Sequence, residues 1–218
     1  MNQQIKWLSP NQVVGLMGNA FHAAPCLAIL LPAMTSSWWL LALGIIALLF
    51  TQSFSGIAAG LIGTALTLWL KGYRAVALIL IIVPFMAQGF FHGGFSIQEL
   101  HGRTQIWSQT LDWILKSPLM GVGLSLFKEL GIKYTPNVSY AVSWTHNEYL
   151  QILCELGAIG LALFTLWIIS ELRLARRLSA VWVGTLAASG ILALLAVPWH
   201  LAPVIVVSLI ALAALHID

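Results

Sequence analysis

Residues 145–160 read T-H-N-E-Y-L-Q-I-L-C-E-L-G-A-I-G, a polar cluster that leads directly into an apolar run of membrane length. Thr145 and Glu148 have the S/T-x-x-E spacing of a capping box, which predicts that a helix begins here. His146 and Asn147 would then lie in its first turn. A helix N-terminus carries unpaired N–H groups and a partial positive charge. It therefore favours an anionic ligand such as a phosphate, and an uncharged imidazole that can act as a base.

A polar stripe continues down this predicted helix. Glu148, Gln151 and Glu155 lie within about 60° of one another on a helical wheel, and Glu155 lies about 10 Å below the helix start. Ionisable residues at such a depth in a membrane are costly and usually face a bundle interior or a wet cavity, which makes them candidate functional residues. Structural roles stay open: Glu148 as a cap, His146 as an interfacial residue, and Glu155 as the partner of an arginine or a backbone group.

The composition is that of an integral membrane protein. Of the 218 residues, 60% are hydrophobic and 8% are charged, which excludes a soluble domain with a hydrated surface. Several apolar runs approach the length of a membrane-crossing helix, and none alternates as a barrel strand does. The sequence therefore predicts an all-α polytopic membrane protein in a lipid bilayer. The net charge of +3 forms no visible patch for nucleic acid.

About seven transmembrane helices are predicted. The apolar spans cover approximately residues 13–34, 37–52, 55–70, 75–91, 147–169, 180–197 and 199–215. The predicted domains are therefore residues 1–91 with about four transmembrane helices, residues 92–145 as a loop that contains an amphipathic helix, and residues 146–218 with about three more transmembrane helices.

The basic residues determine the predicted orientation. Lys71 and Arg74 lie in one tight turn, and a cluster of arginines follows the fifth span at 173–177. Because basic clusters stay on the cytoplasmic side, we expect the loop 92–145 on the outer face of the membrane. The chain would then start outside with no upstream helix to deliver it, which indicates the C-terminal part of a larger architecture.

The outer loop carries further candidate residues. Apolar residues recur at helical spacing between Thr104 and Lys116, which predicts an amphipathic helix on the outer membrane surface. Arg103 stands at its start, where a guanidinium can bind a phosphate or reach lipid headgroups. Gly121 and Gly123 follow, and they predict either an ordinary turn or a close approach of two backbones.

Neither the cysteines nor the other histidines predict a metal site. Cys26 and Cys154 lie within apolar runs, where a free thiol packs like a small hydrophobe, so no disulfide is expected. The histidines at or near the outer face have neither the spacing nor the companion ligands of a metal centre. These are His22, His92, His101 and His200. No metal and no cofactor is therefore expected.

Three segments together resemble the signature of the O-antigen ligase and polymerase superfamily. They are G-R-T-Q-I-W (102–107), S-P-L-M-G-V-G-L-S-L-F (117–127) and H-N-E-Y-L-Q-I-L-C-E-L-G-A-I-G (146–160), in the family's order and spacing. The surrounding helices agree in order with the second half of the family's membrane domain. The resemblance therefore implies the C-terminal portion of such a protein.

The resemblance implies a metal-independent glycosyltransferase in the bacterial inner membrane. Such enzymes move a glycan from an undecaprenyl-diphosphate carrier to a lipid or glycan acceptor on the periplasmic side, with arginines on the diphosphate and a histidine that activates the acceptor hydroxyl. On this sequence those roles go to Arg103 and His146. The other substrate-binding residues expected from these motifs are Asn147, Glu148, Glu155, Gly121 and Gly123.

Two segments depart from the family's pattern, and other functions stay open. S-F-S-G (53–56) stands where members often have S-R-G, so a second phosphate-binding arginine is missing, and G-N-A-F (18–21) stands where members often have G-N-P-N. One alternative is a transporter of a small solute with Glu155 on the solute path, although no internal repeat and no pair of broken helices supports it. The other is a non-catalytic or truncated subunit that works with an N-terminal partner subunit.

Overall fold

The computed structural model describes residues 20–92, 97–133, 141–174, 179–214 and 216. Within these residues the chain is helical and contains no strand, which confirms the predicted all-α class. The helices of this part of the chain are α1 (Ala20–Leu30), α2 (Trp38–Phe50), α3 (Phe54–Leu70), α4 (Arg74–His92), α5 (Ile97–Lys116), α6 (Glu148–Leu174), α7 (Ala180–Leu195) and α8 (Ala202–Ala214). Short 3₁₀ turns cover Leu31–Ser36, Phe127–Leu130 and Pro198–His200.

The predicted apolar spans coincide with observed helices to within a few residues. From residue 37 onward they correspond in order to α2, α3, α4, α6, α7 and α8. The first predicted span, 13–34, is covered from residue 20 by α1 and the following 3₁₀ turn, and residues 13–19 lie outside the described residues. Among the described helices, Glu148–Arg173 within α6 alone is both long enough and apolar enough to cross a membrane. The seven-span topology therefore stays a prediction.

α5 is longer than the sequence indicated. It begins at Ile97, whereas the amphipathic helix was expected from Thr104, with a loop before it. The stretch I-Q-E-L contains good helix formers, and their propensity carries the helix through Gly102. Arg103 therefore lies within the helix and not at its start, so its side chain extends from a rigid element.

One compact unit comprises the described residues of Met1–Gly94, Arg176–Leu192 and His200–Asp218. α3 lies at its centre, because small residues along this helix let neighbouring backbones come close, as in many membrane helix pairs. A Cβ on Gly56 would lie 2.6 Å from the Cβ of Ala24 in α1. The second close neighbour is α7, where a Cβ on Gly63 would lie 2.5 Å from the carbonyl oxygen of Gly184.

The outer helices of this unit present apolar side chains to their surroundings. Trp39 and Leu43 of α2 and Ile79 of α4 are exposed. Large contiguous apolar surfaces are unfavourable in water and are the normal lipid-facing surface of a membrane protein. Near one end of these helices, the rings of Trp38 and Tyr73 pack edge to face with centroids 5.4 Å apart, as expected for an aromatic belt.

The second unit comprises the described residues of Phe95–Ala175 and Ala193–Trp199. Its core lies between α5, α6 and the segment that connects them. The fully or almost fully buried apolar side chains of this core are Ile106, Ile114, Phe127, Ile132 and Cys154. All residues predicted for the functional site belong to this unit.

Candidate functional site

α6 is interrupted at Gly157, whose φ of 68° and ψ of −173° are not helical. In an unbroken helix the N–H groups of Ala158 and Ile159 would donate to carbonyls four residues earlier. They donate instead to the carbonyls of Pro118 and Leu119, over 2.8 and 3.2 Å. The segment after α5 therefore supplies the acceptors that the interrupted helix lacks.

The carbonyls on the other side of the interruption are paired with the same segment. The Cys154 carbonyl accepts from the N–H of Val122, and the Glu155 carbonyl accepts from the N–H of Gly123, each over 2.9 Å. Residues 118–123 thus form backbone hydrogen bonds to both halves of α6. This pairing keeps buried backbone groups satisfied at the point where the helix is broken.

Two glycines make this close approach possible. A Cβ on Gly121 would lie 2.4 Å from the carbonyl of Glu155, and a Cβ on Gly157 would lie 2.2 Å from the carbonyl oxygen of Leu119. Both residues also have positive φ, 70° and 68°. Glycine alone meets both requirements. Of the two alternatives for the G-x-G segment, the close backbone approach is the one that the structure shows at Gly121.

Glu155 lies two residues before the interruption and is buried, with 6% of its surface exposed. Its Oε2 accepts a hydrogen bond of 3.0 Å from the N–H of Ser125, and its Oε1 accepts from the N–H of Phe127 over 3.4 Å. The amide of Gln151 also donates to Oε1, over 2.9 Å. The carboxylate therefore holds the end of the connecting segment against α6, since hydrogen bonds to a charged acceptor are the stronger kind.

The start of α6 differs from the prediction. The helix begins at Glu148 and not at Thr145, because the Oδ1 of Asn147 caps it and accepts a bond of 3.0 Å from the N–H of Leu150. Asparagine is among the best N-cap residues. His146 has φ of 55° and cannot belong to the first turn of a right-handed helix. Strained backbone of this kind is concentrated at functional sites, and the strain at His146 therefore agrees with a functional role for this residue.

Thr145, which precedes His146, is held through both of its backbone polar groups. Its N–H donates to Oε1 of Gln151 over 2.9 Å, and its carbonyl accepts from Nε1 of Trp107 over 2.9 Å. Gln151 is in turn bonded to Glu155. A continuous chain of hydrogen bonds thus runs from the interruption of α6 to the residue next to His146.

Arg103 lies on α5 and is half-buried. Its Nη1 donates a hydrogen bond of 2.8 Å to the carbonyl of Leu195, in the last turn of α7. The C-terminal carbonyls of a helix carry partial negative charge, which suits a guanidinium. Trp107 follows Arg103 by one helical turn on the same face of α5, and its indole bonds to Thr145. Arg103 is therefore connected to the stretch around His146 through a single turn of helix.

Glu148 binds the same short segment as Arg103. With 2% of its surface exposed, its Oε1 accepts a bond of 2.7 Å from the N–H of Trp199. The Trp199 ring packs on Tyr149 and Phe164 of α6, with centroids 6.0 and 5.3 Å away. Residues 195–199 are therefore fixed to α5 at one end and to α6 at the other.

The predicted site residues fall into two groups. His146, Asn147 and Glu148 lie at the N-terminus of α6, and Arg103 is linked to this end through Trp107 and through residues 195–199. Gly121, Gly123 and Glu155 gather at the interruption, about 10 Å deeper along the helix. No role at the site was predicted for Trp107 or for residues 195–199, although Pro198, which follows the sixth apolar span, marks a change of direction there. The part of the chain that the structure describes contains no group of three or more His, Cys, Asp or Glu residues that could hold a metal ion.

These features describe an all-helical protein in which polar residues predicted to be functional lie at the start of a helix long and apolar enough to cross a membrane. A family model described as O-antigen ligase matches residues 39–165, more than half of the chain, and the chain belongs to this family. The match contains all three segments that carry the resemblance, 102–107, 117–127 and 146–160. The resemblance to the family is thereby confirmed.

Family membership indicates what the protein does in general terms. It is a glycosyltransferase-like protein of the bacterial inner membrane, with a role in glycan transfer during polysaccharide and lipopolysaccharide biosynthesis. No curated protein matches the chain.

Proposed function

We propose that this protein transfers a glycan from an undecaprenyl-diphosphate carrier to a hydroxyl group of a lipid or glycan acceptor, at the periplasmic face of the inner membrane. One observation carries the proposal: Arg103 and the stretch around His146 are held together by a connected set of contacts. The Trp107 indole, one turn from Arg103, bonds to the carbonyl of the residue before His146. This arrangement supports a shared reaction centre.

Arg103 would bind the carrier diphosphate. As the bond between the glycan and the carrier breaks, negative charge develops on the oxygens of the departing diphosphate. A guanidinium stabilises this charge with a planar fork of N–H donors. The bond from Nη1 to the Leu195 carbonyl orients the guanidinium before substrate binds. We propose that the Arg103 guanidinium supplies this charge stabilisation without a metal ion.

His146 would act as the general base. Its imidazole accepts the proton of the acceptor hydroxyl as the oxygen attacks the anomeric carbon. The glycosidic bond to the acceptor forms while the bond to the carrier phosphate breaks, and undecaprenyl diphosphate leaves with the electron pair. The nearby N-terminus of α6 favours the uncharged imidazole that this role requires.

We also propose the seven-span topology, with Lys71, Arg74 and the basic cluster at 173–177 in the cytoplasm. The exposed apolar side chains along α2, α4 and the second half of α6 support several membrane helices. The start of α6 would then face the periplasm, where lipid-linked glycans of this kind are handed to their acceptors.

The interruption of α6 is a feature that solute transporters also use, because broken helices expose backbone groups to a solute. Here the backbone groups of Cys154, Glu155, Ala158 and Ile159 are paired with residues 118–123. Glu155 itself is bonded to two backbone N–H groups. These pairings favour a structural role for the interruption and therefore the glycan-transfer proposal.

The proposal is tested by complementation of a host that lacks the activity, with the chain expressed alongside its native neighbours. Arg103→Ala and His146→Ala should abolish surface glycan transfer while leaving membrane abundance unchanged. Arg173→Ala and His22→Ala are matched controls, since both residues are exposed and lie outside the site. Normal transfer by Arg103→Ala or His146→Ala would overturn the mechanism, and solute uptake into liposomes that depends on Glu155 would favour a transporter instead.

A further inference from the structure

The segment that fills the interruption of α6 is unusually apolar for an extramembrane loop. Residues 117–127 read S-P-L-M-G-V-G-L-S-L-F, without a charged residue, and they lie between Lys116 and Lys128. Three of their large side chains are mostly exposed: Leu119 at 62%, Met120 at 73% and Leu124 at 68%. Such a surface is unfavourable in water and favourable in lipid.

Its position along α6 can be estimated from the helix rise. The apolar part of α6 ends at Glu171, and Gly157 lies about 14 residues, or about 21 Å, before that point. Since the hydrocarbon core of a bilayer is about 30 Å thick, Gly157 lies about 10 Å inside it from the other surface. Residues 118–123 are hydrogen-bonded to α6 on both sides of Gly157, so they lie at the same depth.

Non-helical backbone is tolerated at such a depth only when its polar groups are satisfied. Besides the bonds to α6, the N–H of Gly121 donates to the Ser117 carbonyl over 3.0 Å. The Ser117 hydroxyl donates to the Gly121 carbonyl over 2.7 Å. The N–H groups of Ser125 and Phe127 donate to the Glu155 carboxylate. Together with the bonds to α6, these pairings satisfy most of the backbone N–H groups of the segment, as burial in hydrocarbon favours.

The flanking lysines are placed to remain at the membrane surface. Lys116 directly precedes the turn that the Gly121 N–H closes on the Ser117 carbonyl, and its long side chain can extend from there toward the membrane surface. Lys116 and Lys128 are exposed, and the Lys116 ammonium lies 3.8 Å from the centre of the Trp113 ring. Tryptophan and lysine pairs of this kind are typical of the headgroup region.

We infer that residues 117–127 form a re-entrant loop that enters the leaflet beside the start of α6. Its backbone is paired with the interrupted helix, and Leu119, Met120 and Leu124 contact the acyl chains of the lipid. Lys116 and Lys128 lie at the level of the headgroups. The inference requires α6 to cross the membrane but does not depend on glycan transfer.

Thiol accessibility tests this placement. Single cysteines are introduced as Met120→Cys, Leu124→Cys and, for comparison, Glu129→Cys, in a protein that also carries Cys26→Ala and Cys154→Ala. In sealed membranes a membrane-impermeant maleimide should label the cysteine at position 129 and fail to label those at 120 and 124, while all three react after denaturation. Equal labelling of the three positions in the membrane would overturn the inference.

A spin label distinguishes exposure of the loop to lipid from burial of the loop against another protein. A nitroxide attached to Met120→Cys in liposomes should collide more often with oxygen than with a water-soluble nickel chelate, as a label on Leu163→Cys in the exposed apolar face of α6 should. Low collision rates with both reagents would show that a second copy or another protein covers the loop. Frequent collision with the chelate would place the loop in water. Either result would overturn the inference, whatever the enzymatic activity.

Discussion

Glu148 and Trp199 are 51 positions apart, yet the N–H of Trp199 donates a 2.7 Å hydrogen bond to the Glu148 carboxylate. This bond attaches the connection between α7 and α8 to the start of α6. Arg103 holds the same connection through Leu195. A residue predicted as a substrate ligand thus has a structural partner, and substitutions can separate the two roles.

Glu148→Gln should leave stability nearly unchanged, because the amide oxygen can still accept the bond from Trp199. Glu148→Ala removes the acceptor and should destabilise the protein by about 1–3 kcal/mol. Thermal unfolding in detergent measures both. If Glu148→Gln is stable but loses transfer activity, the charge has a role in the reaction. Equal melting temperatures for the two variants would contradict the structural role.

Gly157→Ala and Gly121→Ala should prevent normal folding, because the added Cβ would lie 2.2 and 2.4 Å from backbone atoms of the paired segment. We expect a loss of folded protein in the membrane, measured by detergent extraction and size-exclusion chromatography. Gly131→Ala is the matched control: it has φ of 68°, but its Cβ would meet nothing within 4 Å. The control should cost only about 1 kcal/mol of backbone strain.

Gln151 and Glu155 should be energetically coupled. Gln151→Glu places two carboxylates side by side, and Glu155→Gln sets an amide against several N–H donors. The exchange of both residues restores one carboxylate and one amide, so part of the loss should be recovered. A double-mutant cycle on thermal stability should give a coupling of about 0.5–3 kcal/mol. Additive effects would show that this pair does not connect the loop to Thr145.

Substitutions at His146 should separate stability from activity. Glycine relieves the strain of φ at 55°, so His146→Gly should be more stable than His146→Ala by about 1 kcal/mol. Both variants should lack transfer activity, because neither supplies a base. Thermal unfolding and the complementation assay provide the two measurements. Activity in His146→Gly would exclude the imidazole from the reaction.

Arg103 should be required for diphosphate recognition. Farnesyl diphosphate serves as a short analogue of the carrier, and its affinity for the purified protein is compared with that of farnesyl monophosphate. Arg103→Lys keeps the charge but loses the planar fork, and we expect at least about tenfold weaker diphosphate binding, the loss of about one charged hydrogen bond. Arg173→Ala should bind normally. Unchanged diphosphate affinity in Arg103→Ala would contradict the proposed role.

The sequence predicted the helices well because apolar composition and length determine them locally. It predicted the start of two helices less well. Thr145 and Asn147 are both good N-cap residues, and the choice between them depends on Trp107 and Gln151, which hold Thr145 outside the helix. No local pattern contains that information. At α5, glycines near the start resembled a loop, although the residues between them favour a helix.

The grouping of site residues was only partly predictable. The resemblance predicted site roles for Arg103, His146 and Glu155, but the partners of these residues come from distant segments. The acceptor of Arg103 is a backbone carbonyl at Leu195, and the donors to Glu155 are backbone N–H groups. Because every residue carries such groups, side-chain identity does not reveal which of them will be used.

The interruption at Gly157 also has a consequence for biogenesis. A nascent α6 that leaves the translocon alone would bring unpaired backbone groups into hydrocarbon, at a cost of several kcal/mol for each. Residues 118–123 emerge from the ribosome earlier and can satisfy these groups only if they are retained beside the insertion channel. With the proposed re-entrant placement, assembly of this protein requires the two segments to partition into lipid together.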